Sequence, residues 1–321
     1  MIVVTGGMGF IGSNIAGAFL AAGRRVLVVD HALQPLRYLR NAPDLEVMDS
    51  ATFRAGLQGQ KALPEISAVY HQGACSDTTE TDWSYLEKNN LGDSILVAQY
   101  CQQRQIPLIY ASSAAVYGDR LGFREETACE NPINLYAQSK TRFDDWVRKE
   151  VLPSPSAPIV GLRYFNVYGP REDHKGHMAS VAYKMYLQLQ NSGEISLFSG
   201  SHGYADGEQS RDFIYVDDVV AVNQWFLDQS ISGIFNVGTG RAEPFNAIAR
   251  AVLKHSGRGH LRYVPFPETL RAQYQAFTQA DLTRLRAAGY TGAFRDVADG
   301  VAAYLQWLDA RTLMDYDDAS T

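Results

Sequence analysis

The chain has 321 residues, is 46% hydrophobic and 20% charged, and carries a formal net charge of −6. That is the composition of a globular protein of about two closely joined domains, and the missing basic excess excludes bulk neutralisation of a nucleic-acid backbone. No apolar stretch approaches the ~20 residues that span a bilayer, and the three cysteines, Cys75, Cys101 and Cys129, have neither paired nor metal-ligand spacing, so no membrane segment, disulfide framework or metal site is expected, and reduced thiols fit a cytoplasmic protein.

Taken in chain order, Ile2–Val4, Val26–Asp30, Ala68–His71, Leu108–Ser112 and Ile159–Arg163 each read as a buried strand. Ile2–Val4 runs straight into Thr5 and a glycine turn, so it is a strand and not a signal sequence. Between the strands, Ser13–Ala22, Asp93–Arg104 and Tyr136–Glu150 repeat apolar residues at helical spacing. Strands alternating with helices predict an α/β fold with a doubly wound parallel sheet. Prolines 153, 155 and 158 mark a loop before the fifth strand. After Asn166 the alternation is lost, and 200–210 reads as a loop. Ile234–Val237 is expected to return to the sheet edge, and 241–310 to be helical with a short strand at Leu261–Val264. The expected domains are 1–165 plus 212–240, carrying the regular alternation, and a smaller one of 166–211 plus 241–310. The tail 311–321 is expected to fray.

The run Thr5-Gly6-Gly7-Met8-Gly9-Phe10-Ile11-Gly12 follows a strand and opens a helix. Glycines 6, 9 and 12 let backbone N–H groups approach a pyrophosphate at a helix N-terminus. Asp30, at the end of the next strand, suits an adenosine ribose. It would repel a 2′-phosphate, whereas His31 and Arg37 just beyond could bind one. On these residues the choice between NAD and NADP stays even.

Tyr136 and Lys140 stand four apart in a helical pattern and share one face. A lysine ammonium one turn away, with a positive nicotinamide, is expected to pull the phenol down from its ordinary pKa of ~10 toward useful basicity. The pair gains weight from Ser112-Ser113-Ala114-Ala115-Val116-Tyr117-Gly118, which follows the fourth strand at the carboxyl end of the sheet. There Ser113 can donate to a substrate oxygen beside Tyr136.

With Asn166-Val167-Tyr168-Gly169-Pro170-Arg171 these motifs resemble the extended short-chain dehydrogenase/reductases that act on nucleotide sugars. Four longer runs, beginning at His71, Gly169, Arg211 and Tyr274, are similar to the ADP-L-glycero-D-manno-heptose 6-epimerases within that superfamily. The resemblance extends from Met1 to about Leu308. It implies a Rossmann-type fold with a smaller, mostly helical substrate domain and NADP as cofactor. It also implies a nucleotide-sugar substrate and a homo-oligomer, a pentamer in that family. Gly6, Gly9, Phe10, Ile11 and Gly12 would meet the dinucleotide, and Asp30, His31 and Arg37 the adenosine ribose and its 2′-phosphate. Gln72, Gly73, Ala74, Cys75 and Ser76 with Asn89 would line the cofactor, and Val167 and Lys175 would reach it. Tyr136 would be one acid/base and Lys175 the second, with Ser113 assisting and Lys140 on the nicotinamide ribose. Asn166, Phe198, Ser199, Gly200, Ser201, Arg211 and Tyr274 would hold the ADP-sugar.

Taken by itself, Lys175 reads as a loop lysine on a phosphate or water; only the resemblance makes it a base. The chain departs from the family in having His177 for a small serine and Lys184 for a substrate-contacting histidine. Both are expected at the substrate. A family lysine at the phosphate end of the cofactor is replaced near Ser50, and the 200–210 loop is longer. Ala114-Ala115 stand where dehydratases carry an Asp-Glu pair, which argues against elimination. The remaining alternatives are a UDP-sugar 4-epimerase and a non-catalytic dinucleotide-binding protein.

Overall fold

A computed structural model describes residues 1–31, 38–39, 42–120 and 122–318. Its chain divides into two compact units, one of 1–164, 220–237 and 282–292, the other of 165–219, 238–281 and 293–321.

The first unit is built on β1 (Ile2–Thr5), β2 (Val26–Asp30), β3 (Leu45–Asp49), β4 (Ala68–His71), β5 (Leu108–Ser113), β6 (Ile159–Tyr164) and the strand Gly233–Val237. All seven are parallel, in the order Gly233–Val237, β6, β5, β4, β1, β2, β3. The inner strands are buried at almost every position, which is why they read as continuous β-branched runs instead of alternating ones. Val3, Leu27, Val69, Leu108 and Ile159 join Val97, Phe143 and Val147 of the covering helices in one core. The chain reverses its direction of winding between β1 and β4, and the crevice at the carboxyl ends of such a pair is where open sheets of this kind take their ligands.

β3 and the helix behind it, Ser50–Leu57, escape the sequence reading. The strand is an edge in which no residue is fully buried, so it lacks the solid apolar run that marks its neighbours. The third predicted helix is α-helical over Leu135–Trp146 and continues as a π-helical turn over Val147–Val151. A second π-helical turn, Glu87–Gly92, leads into the helix Asp93–Gln103.

The second unit holds the helices Val181–Ser192, Phe245–Ser256 and Val297–Asp318. Met185, Leu189, Ile248, Val252, Val301 and Leu305 meet in their common core with Tyr168 and Ile195. Its paired strands are short: Asn166–Tyr168 with Phe213–Tyr215, Glu194–Phe198 with His260–Val264, and Ser210–Arg211 with Glu243–Pro244.

The unit boundaries differ from those expected. Residues 212–219 fall in the second unit because Phe213–Tyr215 pairs with Asn166–Tyr168. Residues 282–292 fall in the first, where Tyr290 packs edge-on to Trp225 at 5.5 Å and Arg284 donates to the Ile234 carbonyl at 3.4 Å. The stretch 311–318, expected to fray, continues the last helix.

Candidate active site

In the first unit the turn after β1 is shaped by its glycines. Gly6 has φ +62°, and a Cβ on it would lie 2.7 Å from Gly73 beyond β4. A Cβ on Gly12 would run into the Gly6 carbonyl, so the helix Phe10–Ala21 can lie this close to the strand only because that position is bare. Gly9 is the N-cap and makes no side-chain cap hydrogen bond to the first turn of the helix. Asp30 ends β2, its carboxylate accepting from Met8 N at 2.9 Å and His31 N at 2.8 Å. The same carboxylate expected at a ribose therefore also fixes the glycine turn. Ile11 is half-buried and His31 exposed; Arg37 lies outside the described residues.

The segment after β4 carries Gln72, Gly73, Ala74, Cys75 and Ser76. Gln72 Oε1 accepts from the Tyr164 hydroxyl at 3.0 Å. Its Nε2 is buried and has no hydrogen-bond partner among the described residues. A buried amide donor without a partner costs about 1–3 kcal/mol, which points to an acceptor supplied by a ligand. Glycine cradle, uncapped helix end and orphaned Gln72 donor all fit a dinucleotide. Asn89 stays with its own helix, donating to the Tyr85 carbonyl at 2.8 Å.

Ser113 is the last residue of β5, and its hydroxyl accepts from Ala115 N at 3.1 Å. Tyr136 and Lys140 lie on the helix Leu135–Trp146, whose N-cap Asn134 accepts from Ala137 N. Ser113 stands near enough to Tyr136 for its hydroxyl to favour the phenolate. Lys140 is buried, donates to the Ala111 carbonyl at 2.9 Å, and has its Nζ 6.0 Å from the centre of the Tyr136 ring. Burial brings its pKa down to about 8, against the opposing pull of Asp144 one turn on and of Cys75.

By the protein's own groups Tyr136 is pushed above the ordinary phenol value, because burial outweighs the effect of the Ser113 hydroxyl and the Cys75 thiol adds to the rise. Turned toward Ala111, the lysine does not offset that burial. A further positive charge is needed before the phenol becomes a base.

The polar groups beneath this set are absent from the sequence reading. Asp144 accepts from Tyr110 at 3.0 Å, from Ser112 at 2.9 Å and from Arg163 Nε at 2.9 Å. Arg163, fully buried, also pairs with Glu130. His71 is buried between Thr5 and Ser94, and burial takes its pKa down to about 3. The i, i+4, i+8 spacing of Tyr136, Lys140 and Asp144 was the available signal for Asp144; nothing in the sequence links it to Arg163.

In the second unit Arg211 is buried and stacks over the Tyr274 ring, 5.0 Å from its centre. Burial draws its pKa down to about 10, partly opposed by Tyr274 and Tyr204, and no carboxylate pairs with it among the described residues. A desolvated guanidinium of this kind is a receptor for phosphate. Ser201 accepts from Gln209 at 2.9 Å, Ser199 donates to the Val264 carbonyl at 2.9 Å, and Gly200 N donates to Asp206 at 2.7 Å. These bonds pin down the stretch that reads as a plain loop. His202, which the sequence reading leaves out, sits 5.7 Å from the Tyr274 ring and 5.6 Å from that of Phe266. Phe198 is edge-on to Phe266 at 5.3 Å. Asn166 N donates to the Asp212 carbonyl at 3.0 Å, and Val167 is half-buried beside it.

Lys175 lies in a tight turn, Asp173–Met178, that reverses at Gly176 with φ +53°. Its amine is held below the ordinary lysine value by burial and the neighbouring Lys184 charge, against Glu172. Glu172 is buried and accepts from Ser180 N, Ser180 Oγ and Gly169 N, which closes the loop at both ends. Lys184 donates to the carbonyl of His177 at 2.7 Å, so the two departures from the family pattern are joined to each other.

The fold and the first unit's side chains define a dinucleotide-binding, doubly wound α/β protein with a Ser-Tyr-Lys set at its sheet end. Residues 2–238 match the NAD dependent epimerase/dehydratase family, and the chain belongs to it. Among solved structures it is similar to the ADP-L-glycero-D-manno-heptose-6-epimerase of Helicobacter pylori, at 31% identity over 96% of each chain with a TM-score of 0.82. It is also similar to the UDP-glucose 4-epimerase of Thermus thermophilus in complex with NAD, at 26% identity over 95% of this chain and 97% of that one, TM-score 0.75. The UDP-N-acetylglucosamine 4-epimerase of Methanobrevibacter ruminantium shares the fold at 24% identity, over 97% and 98% of the two chains, with a TM-score of 0.84. No described helix is long and apolar enough to cross a membrane.

Proposed function

We propose that this protein is an epimerase converting ADP-D-glycero-β-D-manno-heptose to its L-glycero epimer at carbon 6, with bound NADP, for the inner core of lipopolysaccharide. The observation that carries the epimerase chemistry is buried Lys140 with its Nζ 6.0 Å from the centre of the Tyr136 ring, in the same unit as Ser113 at the end of β5. The heptose rests on the sequence runs around His71 and Lys175 and on the likeness to the Helicobacter pylori enzyme.

Gly6, Gly9, Gly12, Asp30, Gln72 and Lys140 would hold the dinucleotide, which when bound takes up a hydride from the sugar carbon and returns it. Tyr136 would act as the base once a positive ring beside it favours the phenolate. Tyr136 removes the hydroxyl proton in one orientation of the sugar, with Ser113 donating to the same oxygen. After the ketone turns about its exocyclic bond, Lys175 gives a proton to the oxygen on the other side, and exchange with solvent takes the proton from Tyr136 and restores the one on Lys175. Burial lowers its pKa from the ordinary lysine value, the direction that makes the ammonium a better proton donor. Arg211 and Tyr274 would take the diphosphate and base of the nucleotide.

The test is NMR of purified protein given ADP-D-glycero-D-manno-heptose. The expected result is the L-glycero epimer with no net redox, and loss of at least ~100-fold in turnover for Tyr136→Phe and for Lys175→Met with the cofactor still bound. Full activity in either variant sinks the two-base reading. The similarity to UDP-sugar 4-epimerases supports a second reading, and turnover of UDP-galactose with none of the heptose would establish it instead. Bound dinucleotide with no turnover of any nucleotide sugar would leave a binding protein. Titration with NADP and with NAD tests the cofactor choice, where Asp30 opposes the 2′-phosphate that the resemblance implies.

A further inference from the structure

The loop that carries Lys175 leaves the strand Asn166–Tyr168 and returns as the helix Val181–Ser192, and one buried carboxylate gathers both of its ends. Glu172 Oε1 accepts from Gly169 N at 3.2 Å and from Ser180 Oγ at 2.7 Å, and its Oε2 accepts from Ser180 N. Three donors converge there, a demand that an ionised carboxylate meets and an amide does not. Ser180 is the N-cap of the helix, its hydroxyl also accepting from Tyr183 N at 3.2 Å, and an anion is favoured at a helix N-terminus. The main chain closes the same turn, with Lys175 N donating to the Glu172 carbonyl at 2.9 Å and Ala179 N to that of Gly176 at 3.1 Å.

The chain is bent sharply to enter this loop. Arg171 takes φ +74°, a left-handed conformation that a residue with a Cβ keeps only where its surroundings impose it. The loop also meets the last helix, Val297–Asp318. Asp173 pairs with Arg311 of that helix at 3.5 Å, both side chains being partly buried. Glu172 is the charge that most raises the pKa of buried Tyr304 on the same helix. Two successive acidic residues, just before Lys175, thus anchor the loop to two different helices. A lysine stem is flexible, so its amine is aimed only where the backbone that bears it is fixed.

We propose that Glu172 and Arg311 are positioning residues for Lys175, Glu172 tying its loop to the helix Val181–Ser192 and Arg311 tying it to the last helix. The proposal rests on the reading of Lys175 as the second acid/base. Neither residue touches the reacting atoms; together they set where the Lys175 amine can reach.

The test uses the full chain with Glu172→Gln and Arg311→Met. Glutamine keeps the volume of Glu172 but turns an N–H₂ group toward one of the donors. Turnover should fall about tenfold or more in Glu172→Gln and about threefold in Arg311→Met, with KM little changed in both, because alignment and not affinity is lost. Hydrogen exchange followed by mass spectrometry gives a readout apart from activity. The amides of 172–180 should exchange several times faster in both variants, while those of the helix Phe245–Ser256 keep their wild-type protection. Wild-type turnover in both variants would overturn the proposal. So would faster exchange that runs equally through Phe245–Ser256, the mark of a role in general stability alone. Should Glu172→Gln not fold, Arg311→Met decides, and wild-type turnover with unchanged exchange in 172–180 overturns the proposal. If the wild-type protein turns over no nucleotide sugar, or Lys175→Met stays fully active, the two-base reading fails instead, and exchange in 172–180 still decides whether the two residues hold the loop.

Discussion

Lys140 illustrates how a buried charge is set by competing neighbours. Burial lowers its pKa to about 8, and Asp144 keeps it from falling further. The ammonium is the form that bonds a ribose hydroxyl best, so cofactor binding favours the proton. Affinity for the dinucleotide is therefore level below about pH 8 and falls as pH rises through that value, by up to about tenfold per unit. Fluorescence titration of cofactor binding between pH 7 and pH 9.5 measures it, and Lys140→Met should flatten the dependence. A wild-type affinity that stays constant over that range would contradict the assignment of Lys140. Tyr136 teaches the complementary point. Its spacing from Lys140 is visible in the sequence, but the burial that raises its pKa is not.

Among elements, β5, β6 and the helix Leu135–Trp146 are fastened by one buried ionic cluster. Arg163 of β6 meets Asp144 of the helix, which holds Tyr110 and Ser112 of β5. Asp144 and Arg163 have no exposure. Replacing the cation alone leaves the buried carboxylate uncompensated, a loss of about 3–5 kcal/mol in comparable cases. Arg163→Met should lower stability to urea by that order, and Arg163→Met with Asp144→Leu should recover much of it. An Arg163→Met protein as stable as the wild type would show that the pair contributes nothing. The same elements show where sequence patterning works. β1, β2, β4, β5 and β6 are found within a residue of their expected ends, because strands buried on both faces are written as unbroken apolar runs. β3 was missed because it lies at the sheet edge and buries none of its residues fully.

For the molecule as a whole, the first unit follows from the order of its strands, while the second is assembled from segments far apart in the chain. Its core joins Val181–Ser192, Phe245–Ser256 and Val297–Asp318, and no local pattern announces that three such helices meet. The resemblance to the heptose epimerases carries a prediction at this scale. Light scattering on the purified protein should give a mass about five times that of the 35.5 kDa chain; a monomer at micromolar concentration would refute the pentamer.

The sequence by itself determined the parallel sheet, the glycine turn and the Ser113, Tyr136 and Lys140 set, since each is encoded by residues close together and by the period of the element that carries them. The tertiary structure alone decided that Asp144 and Arg163 stand beneath that set, and that Gln72 keeps an unpartnered donor among the described residues. It also decided the protonation of Tyr136, Lys140 and His71. Desolvation and long-range hydrogen bonds depend on which segments are brought together in space, and spacing along the chain carries no record of that.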